Sequence, residues 1–439
     1  MQPLASKPFN ADHGETPELA LVWSNPPNAL IRKALPDELA SFNEFGQPTR
    51  TLITRFAEAP GKNREAPTYV NEFWTARQRQ ANSLQEISYR ACFKPQLPRF
   101  FIERLTQPGD IVYDPFMGRG TTPLEAALLG RVPFGCDINP LSIVLTEPRL
   151  NPPHLHEVAE RLGQIDFGAK GHCPEDLLVF YHPETLHEIV ALRKYLLARQ
   201  QKDALDAADK WIRLLAINRL TGHSPGFFSV YTLPPNQAVS VKSQQKINAK
   251  RSQTPPRRNV PELILKKSRV LLSDCDSNTR QVLAGVASRA LLLTKPAAAT
   301  PDIPDNSVSL VVTSPPFLDV VDYATDNWLR CWFLDIDPQS VRLTVPRKLE
   351  NWREAMTEVF HELYRVLKPG GHVAFEVGEV HGGKTKLEEA VLPCGVAAGF
   401  EPVLVVINDQ KFTKTANCWG VDNNFKGTNT NRIVVFRRS

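Results

Sequence analysis

The chain lacks the features that mark several specialised classes of protein. Its 439 residues contain no run of 18 apolar residues, so no segment is expected to span a membrane. The first residues, Met1 to Lys7, have no apolar signal-peptide core, which predicts a cytoplasmic, nucleoid-associated protein without a membrane partner. The seven cysteines form no C-x-x-C pair, so we expect reduced thiols, no disulfide framework and no metal site.

The chain also lacks a strong overall charge. Its net charge of +5 does not by itself indicate a nucleic-acid partner, but nine Lys and Arg lie between Val239 and Arg269 with a single acid, Glu262. Clustered cations among Ser, Gln and Asn suit phosphate contacts, and they equally suit a solvated loop; this segment alone favours neither. The candidate nucleic-acid contacts are Lys242, Lys246, Lys250, Arg251, Arg257 and Arg258.

What the chain does have is a strand, a glycine turn, a helix and a second strand in succession. Ile111–Tyr113 is predicted to be a strand, Thr122–Leu129 a helix and Val132–Cys136 a strand, which together make a βαβ unit. Two glycines separated by one residue, Gly118 and Gly120, let the backbone approach a ligand closely. A third glycine would be expected for a dinucleotide site, and Pro123 stands there, which favours a smaller nucleoside-type ligand.

A second motif, Thr313–Phe317 with sequence TSPPF, follows the apolar run Val308–Val312. Ligands bind at the carboxyl ends of parallel strands, where this stiff corner offers a hydroxyl, carbonyl oxygens and a ring face. Such a surface suits a flat heterocycle with an exocyclic amine, which can donate to the oxygens while the ring stacks. The alternative is an ordinary proline turn after a core strand.

The remaining pattern predicts one doubly wound α/β sheet with a large insertion. A helix is expected at Trp352–Leu367, and strands at His372–Val377, Val403–Ile407 and Arg432–Phe436. A mixed helical segment is expected at Tyr69–Leu105. We predict four parts: an N-terminal arm (1–65), a cofactor-binding half (66–150), a mainly helical, basic insertion for target recognition (151–300) and a catalytic half (301–439).

These motifs resemble those of the S-adenosylmethionine-dependent DNA amino-methyltransferases. The glycine turn is similar to their cofactor motif, and Ser314-Pro315-Pro316-Phe317 is similar to their catalytic tetrapeptide. The resemblance implies a Rossmann-like fold, S-adenosylmethionine as cofactor and double-stranded DNA as partner, with a cognate restriction endonuclease as a possible second partner. The implied cofactor contacts are Phe93, Asp114, Phe116, Gly118, Gly120, Thr121, Thr122 and Asp137.

The resemblance also implies direct displacement on an extruded base. Ser314 and the Pro315 carbonyl would accept from the target amine while Phe317 stacks on the base. Separately, the loop that carries Trp419 and Asn429 is rich in amides and aromatics, which favours a place near the DNA; the alternative is an ordinary hairpin loop. A serine at the first position resembles the cytosine-N4 subgroup, whereas the motif order resembles adenine-N6 enzymes. An RNA methyltransferase and a DNA-binding regulator with a vestigial cofactor site remain alternatives. One departure is the segment 295–300, which lacks the usual acid near the cofactor adenine; Asp302 is the nearest substitute.

Overall fold

The computed structural model describes most of the chain. The described residues are 34–59, 61–75, 81–90, 92–169, 171–233, 238–316, 323–338, 341, 348–380, 385–410 and 430–439. The strands are β1 (Arg50–Ala59), β2 (Lys62–Asn71), β3 (Ile111–Asp114), β4 (Val132–Asp137), β5 (Leu291–Thr294), β6 (Val308–Thr313), β7 (Leu367–Val377), β8 (Glu379–Val380), β9 (Thr385–Lys386), β10 (Glu401–Asp409) and β11 (Thr430–Arg437).

Helices alternate with these strands at both ends of the chain and fill its middle. They are α1 (Leu35–Ala40), α2 (Gln96–Leu105), α3 (Thr121–Leu128), α4 (Leu141–Leu150), α5 (Leu155–Gln164), α6 (Pro183–Gln201), α7 (Ala207–Arg219), α8 (Val241–Arg251), α9 (Val260–Leu271), α10 (Ser277–Ala287), α11 (Tyr323–Leu334), α12 (Leu349–Val366) and α13 (Leu387–Ala397). Two short 3₁₀ turns occur at Ser83–Gln85 and Glu175–Val179.

Nine strands form one sheet in the order β1-β2-β10-β11-β7-β6-β3-β4-β5. The five strands from β7 to β5 in that order pair in parallel, and β11 is antiparallel to both of its neighbours. The chain winds outward through β3, β4 and β5 and then returns to β6 on the other side of β3. The carboxyl ends of β3 and β6 therefore flank the point where the winding reverses, which is where open α/β sheets bind ligands.

Hydrophobic residues cover both faces of the sheet. On one face, α12 and α13 pack through Phe360, Phe375 and Phe436, whose rings meet tilted or edge-on with centroids 4.9 to 5.1 Å apart. On the other face, Phe100 and Phe101 of α2 pack against residues of the central strands. Helices on both faces of a largely parallel sheet confirm the predicted doubly wound α/β fold.

The segment between the two halves of the sheet is mainly helical and has its own core. Helices α5 to α10 pack around fully buried side chains that include Trp211 and Phe180, and α11 joins the same core through Phe333. The strand β5 falls inside the range assigned to the insertion, so the helical part ends before Leu291. We call the part of this segment that precedes β5, residues 151–290, the helical insertion.

The N-terminal region differs from the sequence expectation. The described part of residues 1–65 contains α1 and β1, and β2 joins the sheet by pairing in parallel with β10. The helical prediction for Tyr69–Leu105 is wrong for its first residues, because Tyr69–Asn71 ends β2 and continuous helix begins at Gln96. In the residues that the structure describes, no helix is long and apolar enough to cross a bilayer.

Candidate active site

The ends of β3 and β6 touch through their side chains. Thr313 Oγ1 at the end of β6 donates a hydrogen bond of 2.6 Å to Asp114 Oδ1 at the end of β3. Thr122, at the start of α3, donates from Oγ1 to the carbonyl of Val312 at 3.1 Å. We call the turn that follows β6, from Thr313 to Pro316, the serine corner. It therefore lies beside the glycine turn around Gly118 and Gly120, as expected if the two motifs form one site.

The glycine turn adopts a conformation that only glycine accepts without strain. Gly118 and Gly120 have φ values of +50° and +75°. A Cβ on Gly120 would lie 2.1 Å from Thr146 Oγ1 on α4, so a larger residue is excluded by space as well as by φ. The backbone N–H of Gly118 donates to Asp137 Oδ2 at 2.9 Å, which ties the turn to the end of β4.

Asp114 is a buried carboxylate at the end of β3. Its side chain is 1% exposed, and burial raises its pKa to about 7, although hydrogen bonds from Thr313 and the Phe116 N–H favour the charged form. A buried carboxylate with no cationic partner among its described contacts suits a ligand that brings its own positive charge.

Asp137 ends β4 and is held by backbone groups. Its two carboxylate oxygens accept from the N–H groups of Gly118 and Asn139, at 2.9 and 2.8 Å. Burial raises the pKa of this carboxyl, and those two N–H groups oppose the shift. The fixed carboxylate can still accept from ligand hydroxyls through its remaining lone pairs.

The other predicted cofactor residues lie on several different elements of the fold. Thr121 begins α3 and accepts from Arg119 Nε at 3.0 Å, and Phe116 packs partly buried at the end of β3. Phe93 is partly buried against the α2 face of the sheet. Asp302, the substitute named for the adenine contact, forms an ion pair with Lys295.

The donor set fits S-adenosylmethionine. A buried carboxylate at Asp114 can hold the ammonium group of the methionine part, and the preorganised carboxylate of Asp137 can hold ribose hydroxyls. Gly118 and Gly120 have no side chains, so a ligand can approach the backbone of this left-handed turn closely.

The serine corner is held by a residue that the sequence analysis missed. Ser314 Oγ donates a 2.5 Å hydrogen bond to Glu376 Oε2 on β7, and Asn431 Nδ2 on β11 donates to Glu376 Oε1 at 3.1 Å. Glu376 is 7% exposed, and burial raises its pKa. The signal that would have found it is a single carboxylate in the otherwise apolar run Val373–Val377 at the end of β7.

The corner is also fixed from α12. Trp352 is fully buried, and its Nε1 donates to the carbonyl of Pro316 at 3.1 Å. Pro315 is buried, whereas Ser314 and Pro316 are partly exposed. Phe317, the predicted stacking residue, lies outside the described residues, as do Trp419 and Asn429.

The predicted DNA contacts divide into two groups. Lys242, Lys246 and Lys250 are exposed at spacings of four along α8, a helix without an acidic residue, and Arg251 lies over the ring of Tyr231 at 3.7 Å. Arg257 instead pairs with Glu184 and Glu188 at 2.7 and 2.5 Å, and the Arg258 N–H donates to Thr185 Oγ1. The first group is available to a polyanion, and Arg257 is already neutralised.

Comparison with known proteins identifies relatives of this chain. Residues 32–146 match the family model described as DNA methylase. The Type II methyltransferase M.BsoBI of Geobacillus stearothermophilus is 23% identical over 303 residues, which cover 60% of this chain and 55% of that protein. The Type II methyltransferase M.MjaII of Methanocaldococcus jannaschii is 40% identical over 62 residues, or 14% of this chain and 12% of that protein. The chain thus spans about half the length of the first relative and a shorter part of the second.

Among solved structures, TrmN from Thermus thermophilus is 12% identical to this chain with a TM-score of 0.32. The match covers 81% of this chain and 52% of that one. The fold assignment rests on the strand order and pairing described above.

Proposed function

The chain belongs, through residues 32–146, to the family of S-adenosylmethionine-dependent DNA amino-methyltransferases, and from that premise we propose that it methylates the N4 amine of cytosine in duplex DNA. The observation that carries the proposal is the contact between Thr313 and Asp114. Because Ser314 follows Thr313 directly, a base amine at the corner and a methyl donor at the glycine turn would be neighbours.

The proposed role of Ser314 is to accept a hydrogen bond from the target amine. Since its hydroxyl proton points to Glu376, the lone pairs of Oγ are free for an N–H donor. Together with the Pro315 carbonyl, this acceptor draws the nitrogen lone pair out of conjugation with the ring and toward the methyl group. S-adenosylmethionine supplies that methyl group, activated by the positive charge on sulfur.

Glu376 completes the proton balance in this scheme. The nitrogen would gain a bond to the methyl carbon as the bond between that carbon and sulfur breaks, with its electron pair left on sulfur, and the nitrogen must then lose one proton. Ser314 Oγ accepts that proton while its own proton passes to Glu376 Oε2, which is already 2.5 Å away. The raised pKa of Glu376 makes its carboxylate a better proton acceptor than a solvent-exposed glutamate. Asn431 holds the second carboxylate oxygen and so orients the acceptor.

We assign the target nitrogen from the identity of residue 314. Serine at the first position of the tetrapeptide is the cytosine-N4 pattern, and the order of motifs, with the glycine turn first, is the adenine-N6 pattern. The adenine-N6 activity is therefore the second candidate. Mass spectrometry of nucleosides digested from DNA after incubation distinguishes N4-methylcytosine from N6-methyladenine.

The helical insertion is proposed as the target-recognition module, with Lys242, Lys246, Lys250 and Arg251 contacting phosphates. The proposal includes duplex DNA as the partner, a nucleoid-associated location, and a restriction endonuclease as a possible companion. A DNA-binding regulator would retain a duplex without incorporating methyl groups. A structured RNA that out-competes duplex DNA would indicate an RNA methyltransferase.

Replacing Ser314 by alanine tests the catalytic assignment. We expect Ser314→Ala to lower incorporation of labelled methyl groups by at least about 100-fold, because a preorganised acceptor at the reacting atom is lost. Cofactor binding measured by calorimetry should persist. Ser309→Ala, on the same strand but far from its carboxyl end, is the matched control. Full activity of Ser314→Ala would overturn the assignment.

A further inference from the structure

Residues 83–90 lie between the glycine turn and the helical insertion, and we call them the bridging segment. On the side of the turn, the guanidinium of Arg119 donates to the carbonyls of Gln85 and Ile87, at 3.2 and 2.7 Å. Arg119 stands between Gly118 and Gly120. The side chain of the central residue of the turn is thus bonded to the backbone of the bridging segment.

A second arginine joins the same two elements. Arg149 of α4 is fully buried and donates to the carbonyls of Arg119 and Leu84. The ring of Tyr89 lies 3.6 Å from the position that a Cβ of Gly118 would occupy. Movement of the bridging segment would therefore break the hydrogen bonds that Arg119 and Arg149 donate to its carbonyls.

On its other side the bridging segment is held by the helical insertion. Asn218 of α7, 1% exposed, accepts from the N–H of Ser88 and donates to the carbonyl of the same residue, both at 3.1 Å. Ser83 is held in a similar way, since its N–H donates to Asp274 Oδ2 at 2.8 Å and its hydroxyl to the carbonyl of Leu271.

These contacts connect the proposed cofactor site with the proposed target-recognition module. A turn with two glycines has a large conformational entropy when it is not braced, so its affinity for a ligand depends on how firmly its neighbours hold it. The bridging segment is that neighbour, and its position depends on the insertion. A ligand that reduces the motion of the insertion therefore lowers the entropy cost of ordering the turn when the cofactor binds. By thermodynamic linkage, the cofactor then strengthens binding of that ligand by the same factor.

We propose that Asn218 is a positioning residue through which DNA held by the helical insertion strengthens cofactor binding at the glycine turn. The inference rests on the proposed function, because it takes duplex DNA as the ligand of the insertion. Asn218 touches neither ligand in this scheme and acts through the backbone of Ser88.

The test is a binding cycle that requires no turnover. Affinity for S-adenosylhomocysteine is measured by calorimetry with and without excess amplified, and so unmethylated, genomic duplex DNA. We expect DNA to tighten binding to the wild-type chain by about fivefold or more, the lower end of common coupling strengths. In Asn218→Ala the ratio should fall to within about twofold of one, the range of uncoupled sites.

Asn248→Ala is the matched control. Asn248 is a partly buried asparagine of the insertion that, like Asn218, donates to a backbone carbonyl, here that of Val179 at 2.7 Å. It has no hydrogen bond to the bridging segment among the described residues. It should keep the wild-type ratio. Equal ratios in wild type and Asn218→Ala, or a wild-type ratio of one, would overturn the proposal.

Two further measurements separate the inference from a loss of folding and from the proposed function. Asn218→Asp keeps an acceptor for the Ser88 N–H, so we expect an intermediate ratio in a folded chain. With methylation as readout, Asn218→Ala should raise the KM for S-adenosylmethionine more than it lowers kcat, which a general loss of folded protein would not do. Coupling without any methylation would remove the proposed function and leave the inference standing.

Discussion

Thr313 and Asp114 are hydrogen-bonded at 2.6 Å, although 199 positions of chain separate them. This bond joins the last residues of two neighbouring parallel strands at the point where the sheet reverses its winding. It fixes the distance between the two motifs independently of any ligand. The reacting groups in the proposed transfer would be brought together by the sheet itself, without a domain closure.

Glu376 is expected to control the acid limb of the pH–rate profile. Its raised pKa means that a larger fraction is protonated at mildly acidic pH, and the protonated form cannot accept a proton from Ser314. The rate should fall as the pH is lowered through that pKa. Glu376→Gln should lose about 100-fold or more in kcat and flatten this limb, with cofactor affinity unchanged. A wild-type rate and profile in the variant would exclude the proton-accepting role.

Asp114 is expected to link cofactor binding to pH. With a pKa of about 7 in the free protein, it must release a proton when a cationic ligand binds below that pH, so affinity should rise with pH up to about 7 and then level. Asp114→Asn should bind weakly and without this dependence. Calorimetry between about pH 6 and pH 8 measures both, and an unchanged pH dependence in the variant would contradict the assignment.

The same carboxyl affects the stability of the ligand-free protein. Its pKa is raised on folding, so the stability it contributes is fully present below its unfolded pKa, near 3.8, and is lost as the pH rises toward 7. Asp114→Asn should therefore be more stable than wild type at about pH 8 in urea unfolding, and this difference should shrink toward pH 4.

Gly120 is expected to tolerate no side chain. Gly120→Ala combines a left-handed φ with a contact of 2.1 Å to Thr146, so we expect a loss of about 2–4 kcal/mol in the free energy of unfolding and of cofactor binding. Gly163→Ala is the control, because Gly163 lies in α5 with nothing within 4 Å of its Cβ position. It should be neutral or slightly stabilising. Comparable losses in the two variants would refute the steric argument.

Lys246 and Arg257 are expected to respond differently to the same loss of charge. Lys246→Gln should weaken DNA binding and reduce the slope of log affinity against log salt by about one, as for one phosphate contact. Arg257→Gln should leave that slope unchanged and cost about 1 kcal/mol of stability, because its charge already serves Glu184 and Glu188. Equal salt slopes in the two variants would argue against a phosphate contact at Lys246.

The sheet was largely predictable because its strands carry strong local signals. Val308–Val312 and Val132–Cys136 are short apolar runs that end at turn residues, and the structure has strands at both places. The amphipathic α12 was equally clear, since Met356, Val359, Phe360 and Leu363 recur at helical spacing and are buried. Local periodicity and turn chemistry suffice where one element faces one core.

The features that could not be predicted from the sequence depend on contacts between residues that are far apart in the chain. The strand β2 follows no clear alternation, and its pairs are β1, next to it in the chain, and β10, more than 300 positions later. The role of Glu376 was not predictable, because it depends on the contact with Ser314 on the neighbouring strand of the sheet. Arg257 appeared as one more cation, since the pairing with Glu184 and Glu188 arises only when α6 packs beside it.

The hairpin of β1 and β2 covers the edge that β10 would otherwise form in the sheet. Without it, β10 would present a free row of backbone donors and acceptors, the kind of surface on which chains aggregate. A shortened form of the protein that starts after Asn71 keeps every residue of the proposed site, yet it should precipitate during expression. Adding the missing hairpin as a separate peptide should restore its solubility.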